Sequence, residues 1–503
     1  MTEHYLDRLA RTINANWDAP ALTDFYLTED GTAQDISRGK HYTYGEMYME
    51  MLRLGELFKQ LGLQKGDHIA ICGTNSAHWA IAYLAIAAYQ GVVVTVLHSQ
   101  SPEDIARQID FAEAKALFTD ADLWRELKDA SLPQIEYVFC LENWHILYGK
   151  DMQNQIQELG VDKLIATFEL GKFDDLAMIC FTSGSTNTSR GIMLSNNNIS
   201  NNSKNITDGY PDGTVTVFLS VLPMAHIYGF MTEIVAQLLK GKHVYILTVI
   251  SISSLYTSIQ IVRPYALSLI PFLVSGLMRI HQDCISLLKT CKQIYIGGSL
   301  FDPQLEQRLL ENHVPISVGY GMTECGPLIS YSICAEYKFG TCGKIVEGMT
   351  ARIAPNGEIL VKGENVMLGY YKNPEATAQK IDADGWLHTG DRGYLDEDGY
   401  LYVEGRLEQD MIVLPNGENI HPDNIESKIN ALPEVAESIV LARDGKLVAI
   451  VVPSAVENQD LRRFILRTIN PQLPSYSQLY DVECTHEPLA RTAKQTLKRH
   501  LYK

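Results

Sequence analysis

The chain is predicted to be an α/β protein that ends in a β-rich subdomain and a small α+β unit. Apolar strand-like runs such as Asp67 to Cys72 and Val92 to Val96 alternate with helical patterns, which predicts parallel sheets covered on both faces. From about residue 350 hairpin patterns replace this alternation, as at the turn Pro355-Asn356-Gly357. The pattern changes again after Arg406, so we expect domains at residues 1–405 and 406–503, with the β-rich subdomain at about 340–405.

Length and composition restrict the class of protein. A chain of 503 residues exceeds one ordinary core and predicts two or three domains. Its 46% hydrophobic and 20% charged residues indicate a soluble globular protein. A net charge of −18 argues against nucleic acid as a partner, because phosphate backbones require a basic surface. The nine cysteines form no Cys-x-x-Cys pair, which favours a reducing, cytoplasmic setting and neither a disulfide framework nor a zinc site.

Local patterns predict the first elements. Thr43 to Glu46 is a capping box, followed by apolar residues at helical spacing as far as Gly62. Trp79 to Leu97 is apolar enough to raise the question of a membrane span. Gln90-Gly91 divides it into an alanine-rich and a valine-rich half, so we expect a buried helix followed by a buried strand. Ser101-Pro102 begins the next helix with a cap and a first-turn proline.

A hydroxyl-rich loop, Thr182 to Gly191, follows the apolar run Leu176 to Phe181. It offers backbone N–H groups, side-chain hydroxyls and the cation of Arg190 to one small volume, which is what a polyphosphate requires. It is not a Walker A loop, because the cation precedes Gly191 instead of following it. The same composition also suits a solvated Ser/Thr loop, and the loop by itself does not decide between them.

Four further stretches lie at predicted strand ends, where α/β proteins place ligands. Gly319 to Glu324 combines a ring on which adenine can stack with a carboxylate that can hold Mg²⁺. Trp386 to Asp391 ends in a carboxylate suited to ribose hydroxyls, although a turn aspartate is the simpler alternative. In Leu222 to Gly229, His226 stands in an apolar context that is typical of a core histidine. Tyr295 to Ser299 runs into two glycines that leave room for a flat ligand.

In this order the five stretches resemble the acyl-adenylate-forming superfamily of acyl-CoA synthetases, luciferases and peptide-synthetase adenylation domains. The resemblance runs from about Tyr42 to the C-terminus. Leu194 to Asn198 and Gly417 to Pro422 are most similar to a bacterial long-chain fatty acid–CoA ligase. The resemblance implies a large N-terminal domain of two stacked doubly wound sheets and a small β-rich subdomain, followed by a small mobile α+β C-terminal domain.

The implied reaction has two steps. A carboxylate attacks the α-phosphate of ATP to give acyl-AMP and pyrophosphate, and the thiol of coenzyme A then displaces AMP. The implied acid is a medium- or long-chain fatty acid, and such a substrate also implies peripheral membrane contact. Transfer at phosphorus depends on positioning and charge neutralisation, which suits a site without a covalent catalyst.

The resemblance also implies a role for individual residues. The residues that would hold the β- and γ-phosphates are Thr182, Ser183, Gly184, Ser185, Thr186 and Arg190. Adenine would lie against Tyr320, Gly321, Gly298 and Ser299, and the ribose would bind Asp391 and Arg406. Thr323 would contact the α-phosphate, Glu324 would hold Mg²⁺, and His226 would lie beside the substrate carboxylate.

The chain departs from the family pattern at two functional positions. Arg190 stands where a lysine is usual, which keeps the charge and adds a planar fork of N–H donors. Near the C-terminus, ungapped alignment places Thr496 at the position of a lysine that bridges the carboxylate and the α-phosphate. Losing one such group would cost roughly 10²–10³ in rate. We therefore expect Lys494 to reach the site, with Lys498 as second candidate; a solvated basic tail is the alternative.

The hinge and the acceptor stay undecided at this stage. The segment after Arg406 is one residue longer than usual, so Glu408 and Asp410 are both candidate hinge residues. The alternatives to a CoA ligase are an acyl-AMP ligase that loads an acyl carrier protein and a nucleotide-binding pseudoenzyme, which Thr496 would favour. A light-emitting oxygenase has only the fold in its favour.

Overall fold

The computed structural model describes residues 3–28, 31–35, 38–149, 164–181, 190–208, 216–407, 412–413, 419–420, 422–443, 446–454, 460–473, 477–491, 497 and 499–502. The α-helices are α1 (Tyr5–Ala15), α2 (Tyr44–Gln60), α3 (Ala77–Ala88), α4 (Pro102–Phe111), α5 (Ala121–Leu127), α6 (Asn196–Asp208), α7 (Ile227–Gly229), α8 (Ala236–Leu239), α9 (Ile252–Val262), α10 (Pro271–Ile280), α11 (Cys284–Leu288), α12 (Pro303–Glu311), α13 (Pro374–Lys380), α14 (Pro422–Asn430) and α15 (Leu461–Ile469). A π-helix, Phe230–Val235, joins α7 to α8.

The strands are β1 (Pro20–Phe25), β2 (His41–Thr43), β3 (His68–Cys72), β4 (Val92–Thr95), β5 (Ala116–Thr119), β6 (Tyr137–Cys140), β7 (Ile146–Tyr148), β8 (Leu176–Phe181), β9 (Gly191–Ser195), β10 (Val217–Ser220), β11 (His243–Leu247), β12 (Ala266–Leu269), β13 (Gln293–Ile296), β14 (Ile316–Gly321), β15 (Leu328–Tyr331), β16 (Lys344–Ile345), β17 (Met349–Ile353), β18 (Glu358–Gly363), β19 (Gly369–Tyr370), β20 (Leu387–Leu395), β21 (Leu401–Arg406), β22 (Ile412–Val413), β23 (Asn419–Ile420), β24 (Val435–Arg443), β25 (Lys446–Pro453) and β26 (Asp481–Cys484).

Within the described residues, two large sheets form the main body of the N-terminal domain. The first has nine strands in the order β16-β15-β14-β13-β12-β10-β11-β1-β2, and its neighbours are parallel from β14 to β1. The second has eight strands in the order β19-β9-β8-β4-β3-β5-β6-β7 and is parallel from β8 to β6. The antiparallel four-stranded sheet β17-β18-β20-β21 is the predicted β-rich subdomain. The predicted α/β fold class is therefore confirmed.

The predicted helix–strand pair at Trp79 to Leu97 lies inside the protein. Helix α3 and strand β4 are buried, and the side chains of Trp79, Ile81 and Val93 have no exposed surface. None of the described helices combines the length and apolar composition that a membrane crossing requires. The predicted capping box also forms, since Thr43 Oγ1 accepts a hydrogen bond from the Glu46 amide (3.1 Å) and Glu46 Oε2 accepts one from the Thr43 amide (2.8 Å).

The largest apolar core lies between the two large sheets and includes α3, the π-helix and α8. A second core covers the opposite face of the nine-stranded sheet with α9, α10 and α12. Because this sheet is covered on both faces, its strands are apolar almost throughout. A polar residue on one of them is therefore exceptional.

The C-terminal domain is a small α+β unit built on the sheet β24-β25-β26. It packs against α10 of the large domain. Arg279 Nη2 donates a hydrogen bond to the carbonyl of Ala436 (2.9 Å), and the Arg491 guanidinium lies 5.6 Å from the centre of the Phe272 ring. The two domains thus meet beside the nine-stranded sheet.

Candidate functional site

Asp391 is held by two of the residues that were predicted to act with it. Its Oδ2 accepts a hydrogen bond from the Tyr320 hydroxyl (2.6 Å), and its Oδ1 pairs with Arg406 Nε (2.9 Å). Asp391 lies within β20 directly opposite Arg406 on β21, so the alternative of a turn aspartate is wrong. Asp391 is 6% exposed, and two donors fix the orientation of its carboxylate.

The electrostatics of this group favour a proton on the tyrosine. Burial raises the pKa of Tyr320 well above its usual range, and the neighbouring Asp391 raises it further. Burial also raises the pKa of Asp391, but the Arg406 guanidinium opposes this effect. At neutral pH Tyr320 therefore remains a donor, and its ring is held beside the carboxylate.

A second carboxylate, Glu324, lies in the short 3₁₀ turn Thr323–Cys325 and is 9% exposed. Its Oε1 accepts a hydrogen bond from the Tyr370 hydroxyl (2.9 Å). The guanidinium of Arg190, in turn, lies 5.2 Å from the centre of the Tyr370 ring. Tyr370 thus connects the cation of the predicted phosphate loop to the carboxylate predicted for Mg²⁺. The sequence contained no signal for Tyr370, because it belongs to none of the five stretches.

Lys380 was also missed from the sequence. It ends α13, and its Nζ donates to the carbonyl of Thr389 (3.2 Å), which also accepts from Arg406 Nη1 (3.4 Å). Burial lowers the pKa of Lys380, whereas Glu324 and Asp391 act to raise it. The site therefore has a partly buried cation near both carboxylates.

The single carboxylate of Glu324 fits a magnesium ion that is bound together with a nucleotide. Among the described residues no group of three or more His, Cys, Asp or Glu side chains forms a metal cage. Mg²⁺ keeps several waters and is usually bound through one or two carboxylates together with substrate phosphates. Glu324 supplies one such carboxylate, fixed in place by Tyr370.

Four of the other predicted residues lie at the carboxyl ends of β13 and β14, and a fifth, His226, precedes α7. Gly298 and Ser299 follow β13, are exposed, and Gly298 has a φ of +87°, which favours glycine. Gly321 ends β14, and Thr323 follows it with 5% exposure. His226 precedes α7, and its Nδ1 accepts a hydrogen bond from the Tyr228 amide (3.2 Å), so the imidazole caps this turn.

Some predicted residues lie outside the described part of the chain, and their roles stay predictions. They are Thr182, Ser183, Gly184, Ser185 and Thr186 of the loop, the hinge candidates Glu408 and Asp410, and Lys494, Thr496 and Lys498 near the C-terminus.

Two sequence profiles of one enzyme family match most of the chain. A sequence profile of the AMP-binding enzyme family matches residues 9–371, and a profile of the AMP-binding enzyme C-terminal domain matches residues 409–503. The chain is 27% identical over 488 residues to 4-coumarate–CoA ligase 3 of Arabidopsis thaliana, covering 89% of this chain and 83% of the relative.

Two solved structures share the fold. ATP-bound MatB from Rhodopseudomonas palustris matches with a TM-score of 0.83 at 23% identity, covering 99% of this chain and 98% of that one. The o-succinylbenzoate coenzyme A synthetase MenE from Bacillus subtilis, solved with ATP and a magnesium ion, matches with a TM-score of 0.79 at 23% identity, covering 98% of each chain. ATP, Mg²⁺ and coenzyme A fit proteins of this kind. Because the AMP-binding profile matches well over half of the chain, the chain belongs to the AMP-binding enzyme family.

Proposed function

We propose that the protein is an AMP-forming acid–thiol ligase that activates a carboxylic acid with ATP and transfers it to coenzyme A. The observation that carries this proposal is the pair of fixed carboxylates. Asp391 is held by Tyr320 and Arg406, and Glu324 by Tyr370 beside Arg190. The Asp391 carboxylate suits the ribose hydroxyls, and the Glu324 carboxylate suits a metal ion bound to the phosphates.

In the first step a carboxylate oxygen bonds to the α-phosphorus while the bond to the β-phosphate oxygen breaks, and pyrophosphate leaves. Arg190 and Lys380 supply positive charge near the leaving phosphates, and Thr323 contacts the α-phosphate. Mg²⁺, when bound at Glu324, neutralises further phosphate charge. In the second step the thiol sulfur bonds to the acyl carbon, the bond to the AMP oxygen breaks, and AMP leaves.

Two observations point to different acids. Similarity at Leu194 to Asn198 and Gly417 to Pro422 favours a medium- or long-chain fatty acid. The matched relatives, by contrast, are named for 4-coumarate and o-succinylbenzoate, which are compact acids with additional polar groups. Hydroxyl side chains on four inner strands of the nine-stranded sheet, β10, β12, β13 and β14, favour the second class.

The proposal also names the thiol that accepts the acyl group and the cellular location of the protein. Coenzyme A is preferred because the matched relatives are named as CoA ligases. A carrier-protein thiol is the alternative acceptor. Thr496 supports a second candidate function, a nucleotide-binding protein without first-step activity. The nine cysteines, unpaired in this structure, support a cytoplasmic location.

ATP–pyrophosphate exchange with a panel of carboxylic acids, with and without coenzyme A, tests the proposal. Exchange should require an acid, and added coenzyme A should yield a thioester. The variant Asp391→Asn should lose at least about 10²-fold in kcat/KM for ATP, because Arg406 and Tyr320 lose the charged partner that they hold. The control is Glu404→Gln, which alters an exposed ion pair with Arg392 on the same two strands and should leave exchange unchanged.

Each other outcome identifies an alternative. Exchange without thioester formation would favour the carrier-protein acceptor. Nucleotide binding without exchange on any acid would contradict ligase activity and favour the pseudoenzyme.

A further inference from the structure

A row of hydroxyl groups crosses four adjacent strands of the nine-stranded sheet. This hydroxyl row consists of Ser220 on β10, Ser268 on β12, Tyr295 on β13 and Ser317 on β14. The register pairs Ser268 with Tyr295, and Tyr295 with Ser317. The register of β10 and β12, extended by one step, pairs Ser220 with Ser268. Since residues in register on neighbouring strands point to the same face, the four side chains share one face.

The hydroxyl row faces the space between the two large sheets. The residues that alternate with it pack into the core on the opposite face: Leu219, Val221, Leu267, Leu269, Ile294, Ile296, Ile316 and Val318. The three serines are at most 2% exposed. Hydroxyl groups are costly at such a position unless they have hydrogen-bond partners.

The π-helix Phe230–Val235 lies against the hydroxyl row. Ser220 Oγ donates to Glu233 Oε2 (2.9 Å), and Ser268 Oγ lies 3.5 Å from Thr232 Oγ1. Thr232 Oγ1 itself donates to the carbonyl of Tyr228 (2.6 Å). The row and the π-helix therefore form one buried polar group. π-helical turns occur frequently at functional sites.

Glu233 Oε1 and Ser317 Oγ, which both belong to this polar group, are buried and have no hydrogen-bond partner among the described residues. Glu233 is 0% exposed and Ser317 is 2% exposed. The other oxygen of Glu233 also accepts from the amides of Val221 (3.0 Å) and Leu222 (2.9 Å). Burial raises the pKa of Glu233 to about 8, so at neutral pH the proton lies on Oε1, which is then a donor. A buried donor and a buried hydroxyl thus remain for a ligand to satisfy.

The route from the strand ends to the hydroxyl row is lined by glycine. Gly297 and Gly319 lie two residues beyond Tyr295 and Ser317, on the same face, because side chains alternate along a strand. Two residues of strand span about 6–7 Å. The Tyr228 ring packs over Gly297, since a Cβ on this glycine would lie 3.3 Å from it, and the ring must turn aside for an acid to pass. An acid held at Gly298 would therefore extend along these glycines towards the hydroxyls.

The far side of the hydroxyl row is closed. The next row of the sheet contains Phe218 and Ala266, each 2% exposed. The cavity beside these two residues measures only about 10 Å³, about enough for one water molecule. To extend past Phe218 and Ala266, a long alkyl tail would therefore have to displace buried side chains.

We propose that the hydroxyl row forms the end of the acyl-binding site and that the acid is compact and carries an uncharged hydrogen-bonding group, such as a hydroxyl or carbonyl, remote from its carboxylate. This inference rests on the proposed ligase function and names its substrate class. A site built to hydrogen-bond a substrate hydroxyl rejects the analogue that lacks it by up to ~10⁴-fold, because the polar groups of the site are left unpaired. A saturated alkyl chain is such an analogue.

The test compares matched acids in ATP–pyrophosphate exchange with the full chain. The pairs are cinnamate with 4-hydroxycinnamate and benzoate with 4-hydroxybenzoate, and hexadecanoate represents the fatty acids. We expect kcat/KM to be at least about tenfold higher for one hydroxylated acid than for its partner, and higher than for hexadecanoate.

Single substitutions identify the residues responsible. Ser317→Ala removes a hydroxyl without a partner among the described residues, so the variant should fold normally. It should reduce the preference for the hydroxylated acid at least about fivefold, through KM for the acid and not KM for ATP. The control is Ser258→Ala, which removes a buried hydroxyl from α9 on the opposite face of the sheet and should preserve the preference.

The outcomes separate this inference from the proposed function. If hexadecanoate is activated as well as or better than the hydroxylated acids, or if Ser317→Ala preserves the preference, the inference is wrong and the ligase function stands. If no acid supports exchange while the protein binds ATP, both fail.

Discussion

Tyr370 donates a hydrogen bond to Glu324 across 2.9 Å although the two residues are 46 positions apart in the chain. The Tyr370 ring also lies beneath the Arg190 guanidinium, at 5.2 Å. The orientation of the carboxylate predicted for Mg²⁺ thus depends on a residue outside every motif. Groups that orient a metal ligand typically contribute 10–100-fold to metal affinity.

The variant Tyr370→Phe should therefore raise the Mg²⁺ concentration for half-maximal exchange about tenfold or more. The measurement is a Mg²⁺ titration of ATP–pyrophosphate exchange. The matched control is Tyr371→Phe, whose hydroxyl donates to the exposed Glu113 (2.8 Å) and lies away from Glu324. Equal Mg²⁺ requirements in Tyr370→Phe and the unmodified protein would contradict the role of Tyr370.

Lys380 should contribute to ATP binding, because its ammonium group lies near Glu324 and Asp391 in a partly buried site. Replacing it by methionine keeps the length of the side chain and removes the charge. We expect Lys380→Met to raise KM for ATP about tenfold, the order of one hydrogen bond to a charged group. Steady-state kinetics over a range of ATP concentrations measures this. Lys362→Met, which removes an exposed ammonium bound to the Asp384 carbonyl, should leave KM unchanged, and equal effects of the two variants would rule out a specific role.

Glu233 should make stability depend on pH. Its pKa is raised from 4.5 to about 8 by burial, so between these values the folded protein keeps a proton that the unfolded chain releases. Its contribution is present in full below pH 4.5 and is lost as pH rises towards 8, at up to ~1.4 kcal/mol per pH unit.

Glu233→Gln cannot ionise and should lack this dependence. Urea denaturation at about pH 5.5 and about pH 7.5 should show the free energy of unfolding of the unmodified protein falling relative to that of the variant. Glu404→Gln, at an exposed position, should follow the unmodified protein. Parallel profiles for Glu233→Gln and the unmodified protein would mean that Glu233 is ionised in the folded state.

The cations near Thr496 concern the first chemical step. Lys494→Ala, or failing that Lys498→Ala, should slow acyl-AMP formation by roughly 10²-fold, as does the loss of a single group that stabilises developing charge. Single-turnover formation of acyl-AMP is the measurement. Arg463→Ala, which alters an exposed ion pair with Asp460 in the same domain, should have no effect. Less than a tenfold loss in both lysine variants would show that neither replaces the usual lysine.

Features that depend on neighbours in the chain could be predicted from the sequence. The capping box at Thr43 and Glu46 needs only a three-residue spacing, and the hairpin at Pro355 to Gly357 needs only a turn between two short strands. The fold class follows from the alternation of apolar runs and helical patterns, whereas the roles of Tyr320, Asp391 and Arg406 came from the resemblance to a known family and stay predictions.

The contacts between distant segments could not be predicted. Tyr320 and Asp391 were assigned to adenine and ribose separately, whereas their hydrogen bond depends on how β14 and β20 are packed. The hydroxyl row becomes visible only when the register of four strands is known, because Ser220, Ser268 and Ser317 are ordinary residues in their local sequence. The π-helix carries no pattern that distinguishes it from an α-helix.

The most direct test of ligase activity follows an oxygen atom. An acid labelled with ¹⁸O in its carboxylate is incubated with the protein, ATP, Mg²⁺ and coenzyme A, and the nucleotide product is analysed by mass spectrometry. If the carboxylate attacks the α-phosphorus and the thiol later takes the acyl group, one ¹⁸O atom must appear in AMP. ADP as the product, or AMP without the label, would contradict an acyl-adenylate mechanism.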